Sequence, residues 1–162
     1  MGEVIAVLSG KGGTGKTSVC AGLAEALAQM GERVLCIDCD VGLRNLDIAL
    51  GISDLGAISF LEVCRGEYGL DMAASHPVYP KLHFLTAPVN CRMDQVEEAG
   101  FLSMLDRARS SFDYIFMDPP YNQELERKVL EYLAESDLMT EDCVIIVEAS
   151  KETEFDYVER LG

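Results

Sequence analysis

The run Gly10-Lys11-Gly12-Gly13-Thr14-Gly15-Lys16-Thr17 constrains this chain more than any other stretch. It satisfies G-x-x-x-x-G-K-[ST], a pattern that carries meaning only between a strand and a helix. Both flanks are there. Val4-Ile5-Ala6-Val7-Leu8 is an apolar, β-branched run that reads as a buried strand. Val19 to Met30 repeats apolar residues at helical spacing, and Gly31 supplies the stop. The glycines let backbone N–H groups turn inward and approach an anion closely. A helix starting near Lys16 aims its positive end at the same point. Lys16 adds a point charge for outer phosphates, and Thr17 offers a hydroxyl to Mg²⁺. Gly10, Lys11, Gly12, Gly13, Thr14, Gly15, Lys16, Thr17 and Ser18 are the candidate phosphate-binding residues.

The rest of the chain alternates strand and helix patterns. Arg33 to Asp38 reads as a second strand, whose unbroken core Val34-Leu35-Cys36-Ile37 suits a parallel strand covered on both faces. Short helices are expected over Leu43 to Leu50 and Ile58 to Val63, with a proline-bounded loop over His76 to Pro80. Leu82 to Ala87 is a third strand, Glu97 to Arg109 an amphipathic helix, and Tyr114 to Met117 a fourth strand ending at Asp118. A further helix to about Ala134 and a strand over Val144 to Glu148 complete the pattern. This order predicts one α/β domain over 1–162: a three-layer α/β/α sandwich on a mainly parallel sheet of about five strands. The first and fourth strands should be neighbours, with the glycine-rich loop at their carboxyl edge, where open α/β sheets bind ligands.

Composition narrows the partners. The net charge of −15 disfavours nucleic acid and anionic lipid. No apolar run approaches the roughly 20 residues of a membrane span, and the amino terminus lacks a basic segment ahead of an apolar one, so the expected location is the cytoplasm. Cys20, Cys36, Cys39, Cys64, Cys91 and Cys143 are scattered through apolar runs. Cys36 and Cys39 form a C-x-x-C, but on a strand those positions face opposite sides, so buried reduced thiols are expected. His76 and His83 stand apart from any ligand cluster.

Lys11 is a second lysine within the loop, which a plain phosphate loop does not need. With it the loop reads K-G-G-x-G-K-T, and the chain resembles the deviant Walker A ATPases of the MinD/ParA family. Asp38-Cys39-Asp40-Val41-Gly42-Leu43-Arg44-Asn45-Leu46-Asp47 resembles the switch region of MinD specifically. The resemblance implies ATP or ADP with Mg²⁺ as ligands. It implies that Asp40 orients the attacking water, that Asp38 lies near the metal, and that Asn45 senses the γ-phosphate. Asp118 takes the Walker B place, holding Mg²⁺ through water opposite Thr17, so the metal set is Thr17, Asp38 and Asp118. Lys11 would reach the nucleotide of a partner subunit, in a homodimer that requires the MinD-type surface.

After Asp118 a second resemblance takes over. Asp118-Pro119-Pro120-Tyr121 is similar to the D-P-P-Y signature of amino-group methyltransferases acting on a base. Residues 112 to 162 resemble the carboxyl-terminal part of RsmD-type methyltransferases, which act on guanine N2 in 16S ribosomal RNA. No glycine-rich loop for S-adenosylmethionine accompanies them. The helix pattern of Lys151 to Leu161 carries Glu152, Glu154, Asp156 and Glu159, unsuited to anionic lipid. The sequence therefore reads as a chimera, MinD-like to about residue 117 and methyltransferase-like over 118–162. The expected function is a nucleotide-binding P-loop module with weak or no ATPase activity. A chimera that folds without activity and a base methyltransferase stand as alternatives.

Overall fold

Val34–Asp38 is buried at every position. A run without polar alternation needs apolar cover on both faces, and the computed structural model supplies it. The structure describes residues 2–9, 13, 15–41, 44–89, 91, 95–118 and 146–148. Its strands are β1 (Glu3–Ser9), β2 (Val34–Asp38), β3 (Ala74–Ser75), β4 (Leu82–Leu85), β5 (Tyr114–Asp118) and β6 (Ile146–Glu148). Its helices are α1 (Lys16–Gln29), α2 (Leu46–Ala49), α3 (Phe60–Cys64) and α4 (Glu98–Ser111), with a 3₁₀ turn at Leu70–Met72.

The strands form one sheet in the order β3-β4-β2-β5-β1-β6. The pairings among β4, β2, β5, β1 and β6 are all parallel, and β3 alone is antiparallel, against β4. The five parallel strands and the β1–β5 neighbourhood match the sequence expectation. The additional strand is the two-residue β3, which pairs Ala74 with Phe84 and Ser75 with His83. So short a strand has no periodicity of its own to read. The helix expected to about Ala134 and the one expected over Lys151 to Leu161 lie outside the described residues.

Side chains alternate across the sheet and build two cores. Val4, Leu35, Ile37, Ile115 and Met117 pack with Phe60, Val63, Met104, Leu105 and Ala108 of α3 and α4. Ile5, Val7, Val34, Cys36, Phe84 and Phe116 pack with Cys20, Ala21 and Ala24 of α1 and Leu46 of α2. These two clusters lie between the sheet and the helices that form the outer layers of the sandwich. Cys36 and Cys39 fall into different clusters, as the strand spacing requires. The described cysteines Cys20, Cys36, Cys39, Cys64 and Cys91 are free thiols, the first three buried. The neighbouring Cys36 thiol, with burial, pushes the Cys20 thiol up, and burial does the same for Cys39. Both stay protonated and unreactive.

Polar contacts fix the ends of elements. Arg33 grips Asp113 through Nη2–Oδ1 at 2.6 Å and Nε–Oδ2 at 3.1 Å, joining the starts of β2 and β5. His76 is buried. Its Nδ1 accepts the N–H groups of Val78 and Tyr79, so Nε2 is the nitrogen that donates to the Leu50 carbonyl, at 2.9 Å. At the start of α3, Ser59 and Glu62 form a reciprocal capping box. Glu62 Oε2 accepts the Ser59 N–H at 2.7 Å, and Ser59 Oγ accepts the Glu62 N–H at 3.4 Å. Replacing Ser59 by Ala should cost about 1 kcal/mol of stability in urea denaturation. A loss indistinguishable from zero would mean that α3 is held by packing alone.

Candidate functional site

β1 continues through α1 toward β2, whereas β5 leads to β6 on the other side of β1. The carboxyl ends of β1 and β5 lie side by side at the edge where open α/β sheets bind ligands. α1 begins at that edge, where Lys16 meets Asp118. Its N-cap is Gly15, at φ 97°, with Gly13 at φ 79° just before it. A Cβ on either glycine would meet none of the described residues, and the positive φ is what calls for glycine. The cap offers no side-chain oxygen, and the first turn of α1 carries no acid. The first-turn N–H groups thus have no side-chain cap competing with an anion. Gly10, Lys11, Gly12 and Thr14 lie outside the described residues.

Lys16 and Thr17, the first residues of α1, both meet Asp118 at the end of β5. Lys16 Nζ stands 2.8 Å from Asp118 Oδ1, with both side chains almost wholly buried, at 1% and 2% exposure. Thr17 Oγ1 donates to Asp118 Oδ2 at 2.7 Å. Asp118 Oδ1 accepts no well-directed hydrogen bond, so its contact with Lys16 is an ion pair by distance alone. That oxygen keeps capacity for another donor. Ser18 is exposed on α1, and Asn45 is exposed at the N-cap position of α2.

The second wall is the end of β2. Register places Asp38 beside Asp118 on adjacent parallel strands, and the Cys39 N–H donates to the Asp118 carbonyl at 3.0 Å. Asp38 turns its carboxylate to the backbone: Oδ1 accepts the Asp40 N–H at 2.9 Å and Oδ2 the Leu46 N–H at 3.2 Å. It therefore clamps the segment that carries Asp40 and leads into α2. Sequence reading missed this clamp, because one of its donors lies eight residues downstream. Burial pushes the Asp38 carboxyl up to about 6, helped by Asp118 and Asp40 and opposed by the two N–H donors. Burial also raises Asp40, with Lys16 pulling it down and Asp118 pushing it up. Arg44, on the same segment, has a left-handed backbone at φ 48° and a buried Nε without a hydrogen-bond partner. Its Nη2 lies 3.8 Å from Asp47 Oδ2.

Charge and donor chemistry test the fit of a divalent ion. Asp40 and Asp118 are buried near the ammonium of Lys16, and Asp38 is buried beside Asp118. Among the described residues these carboxylates outnumber the ammonium, an excess of negative charge that a dication would offset. Among the described residues no group of three or more His, Cys, Asp or Glu is arranged to hold an ion. Mg²⁺ takes one or two protein oxygens and completes its shell with water and phosphate. Thr17 Oγ1 and Asp118 are the oxygens in place for it. Among the described residues, no helix is long and apolar enough to cross a membrane.

Comparison with known proteins agrees with this geometry. Residues 5–141 match the family model described as the CobQ/CobB/MinD/ParA nucleotide binding domain. The chain is 40% identical over 121 residues to a putative septum site-determining protein MinD of Guillardia theta, covering 74% of this chain and 45% of the relative. It is 33% identical over 142 residues to the septum site-determining protein MinD of Escherichia coli K12, covering 86% and 53%. Among solved structures, MinD complexed with Mg-ADP from Pyrococcus horikoshii superposes with a TM-score of 0.63 at 30% identity, over 77% of this chain and 51% of that one. MinD in the MinC:MinD complex of Aquifex aeolicus gives 0.65 at 33% identity, over 75% and 49%. The chain spans about half the length of the curated relatives it matches. The family match runs without a break through residues 112–117 to residue 141, so it lends no support to a crossover into a methyltransferase there. On the fold, the loop context and this match, the chain belongs to the CobQ/CobB/MinD/ParA nucleotide-binding domain family.

Proposed function

We propose that the chain is a P-loop module that binds ATP or ADP with Mg²⁺ in the manner of MinD, and that it hydrolyses ATP weakly or not at all. The observation that carries this reading is the convergence of Lys16, Thr17 and Asp118 at the glycine-capped start of α1. In it, Gly10 to Ser18 cradle the phosphates through backbone N–H groups, and Lys16 neutralises the outer ones. Thr17 and Asp118 hold the metal, with Asp38 beside it as the clamp of the Asp40 segment. Bound Mg²⁺ would supply charge neutralisation at the β- and γ-oxygens. Asp40 orients water, Asn45 reads the γ-phosphate, and Lys11 reaches a second nucleotide in a homodimer.

The proposal of weak hydrolysis rests on Asp118-Pro119-Pro120-Tyr121. Proline has no N–H, so the two backbone positions after Asp118 cannot donate to a phosphate or a water. The same four residues support a narrower proposal, that 118–162 derives from a methyltransferase-type unit. On that view the chain is a chimera whose methyltransferase part lacks a cofactor loop.

Thermal denaturation tests the reading. Mg-ADP at one hundred times its Kd should add about 2.7 kcal/mol and raise Tm by roughly 5–10 °C. Lys16→Ala should abolish that rise, and S-adenosylmethionine should give none. No rise with either Mg-ADP or Mg-ATP would leave a scaffold that folds without a ligand. A rise with S-adenosylmethionine would favour base methylation.

The ligand-free site should also show a pH signature. An acid raised from 3.8 to about 6 on folding favours the native state while protonated, and that benefit disappears as pH rises through 6. Asp38 should therefore reduce stability by about 1 kcal/mol or more between about pH 5 and pH 7. Urea denaturation of the wild type and Asp38→Asn at both pH values should give a stability difference that shifts in favour of the variant as pH rises. A difference that stays constant would show that Asp38 does not change its protonation between those pH values.

A further inference from the structure

We propose that the exposed apolar flank of α1 is a docking surface for residues 151–161 of the same chain, which lie along it as an amphipathic helix. α1 is apolar nearly all round, a pattern normally found in helices covered on every side. Its ionisable side chains are Lys16, which is buried, and Glu25, which is half-buried. Val19 is 46% exposed, Leu23 39%, and Met30, at the C-cap, 77%. At 3.6 residues per turn these three share one flank with the exposed Ala26. That flank lies across the helix from Ala21 and Ala28, which share a core cluster with Leu46 and Leu50 at α2. α1 links β1 to β2, and such connections cross over in a right-handed sense. With that hand, the Ala21 flank looks toward β2 and α2, and the Val19 flank looks toward β1 and β6.

The end of β6 brings the occupant to this flank. Glu148 is level with Ser9, the end of β1, at the edge where α1 also starts, and residues 149–162 follow it. A helix over 151–161 running back from that edge is about 16 Å long, close to the rise from Val19 to Met30 along α1. Phe155, Val158 and Leu161 recur at helical spacing and face α1. Glu152, Asp156 and Glu159 fall on the opposite side, and Glu154 lies in the first turn, where a helix favours an acid. The face of the sheet is set by handedness. The step from β5 to β6 advances along the sheet in the same direction as the step from β4 to β5, whose helix α4 packs in the other core. The right-handed rule sends both connections over that face and leaves the α1 side of β1 and β6 for what comes after β6. Charge favours the same occupant. An uncharged flank does not repel an acidic helix, whereas a second copy brings a whole chain of net charge −15 against its like.

The chain contains no tryptophan, so Phe155→Trp supplies a single fluorescent reporter in the full-length chain. Its emission should lie to the blue of free tryptophan and be shielded from acrylamide. Adding Leu23→Glu should move the emission to the red and admit the quencher. Val158→Trp with Val19→Glu repeats the comparison if the first pair does not fold. Urea denaturation gives a second readout. Leu23→Gln and Phe155→Gln should each raise the unfolding constant at least about tenfold, and the double variant should fall short of the product by at least about threefold. An exposed Leu23 without a partner would change that constant less than about threefold. A tryptophan open to solvent from the start overturns the proposal, as does one whose shielding survives Leu23→Glu. Shielding that grows with protein concentration, alongside a dimer in sedimentation that Leu23→Glu dissolves, overturns it in favour of a second copy.

Discussion

A buried ammonium held against a buried carboxylate organises this molecule. Lys16 opens α1 and Asp118 closes β5, so their contact fixes where the helix starts relative to the sheet edge. Such a pair is weak evidence for stability, because desolvating two charges costs about as much as their attraction returns. The pair makes better sense as preorganisation. It places a cation, a hydroxyl and a carboxylate against one another while the surrounding apolar layers fix their positions. The two cores on either face of the sheet, one through α1 and the other through α4, keep β1 and β5 in register and so hold those three groups together.

The same parallel register creates the site's electrostatic problem and much of its chemistry. Strands β2 and β5 end level, which brings Asp38 and Asp118 side by side where water is scarce. Three devices ease the repulsion. Lys16 neutralises Asp118, two backbone N–H groups solvate Asp38, and Asp38 retains its proton to about pH 6. The residual charge is what a hard dication with only partial protein ligation relieves. Asp38 is thereby explained without direct metal contact. Its two acceptors shape the turn from β2 into α2, and that turn decides where the Asp40 carboxylate lies.

Much of this was legible in the sequence because the informative signals are local. A β-branched run, a glycine-rich loop and a helical repeat lie within the first thirty residues and specify β1, the turn and α1 together. The unbroken apolar run at Val34 to Ile37 likewise announced a strand buried on both faces. The parts that escaped notice are set by partners distant in sequence. β3 exists because Phe84 and His83 give Ala74 and Ser75 a ladder to join. The Asp38 clamp depends on where Leu46 arrives, and the left-handed backbone of Arg44 has no signal in an arginine. Ser59-Phe60-Leu61-Glu62 did carry a readable capping box, S-x-x-E, that would have placed the start of α3 at Phe60 and not at Ile58.

Asp118 therefore serves two requirements that a single sequence change can separate. In the proposed function, binding uses its carboxylate as a metal partner, and the strand before it supplies that position whatever follows. Hydrolysis needs more, because charge develops on oxygens that fixed donors must meet. In this chain the next two residues are Pro119 and Pro120, which carry no backbone donor. On the proposed function, a module built this way would keep its affinity for a metal–nucleotide complex while lacking two backbone donors after Asp118.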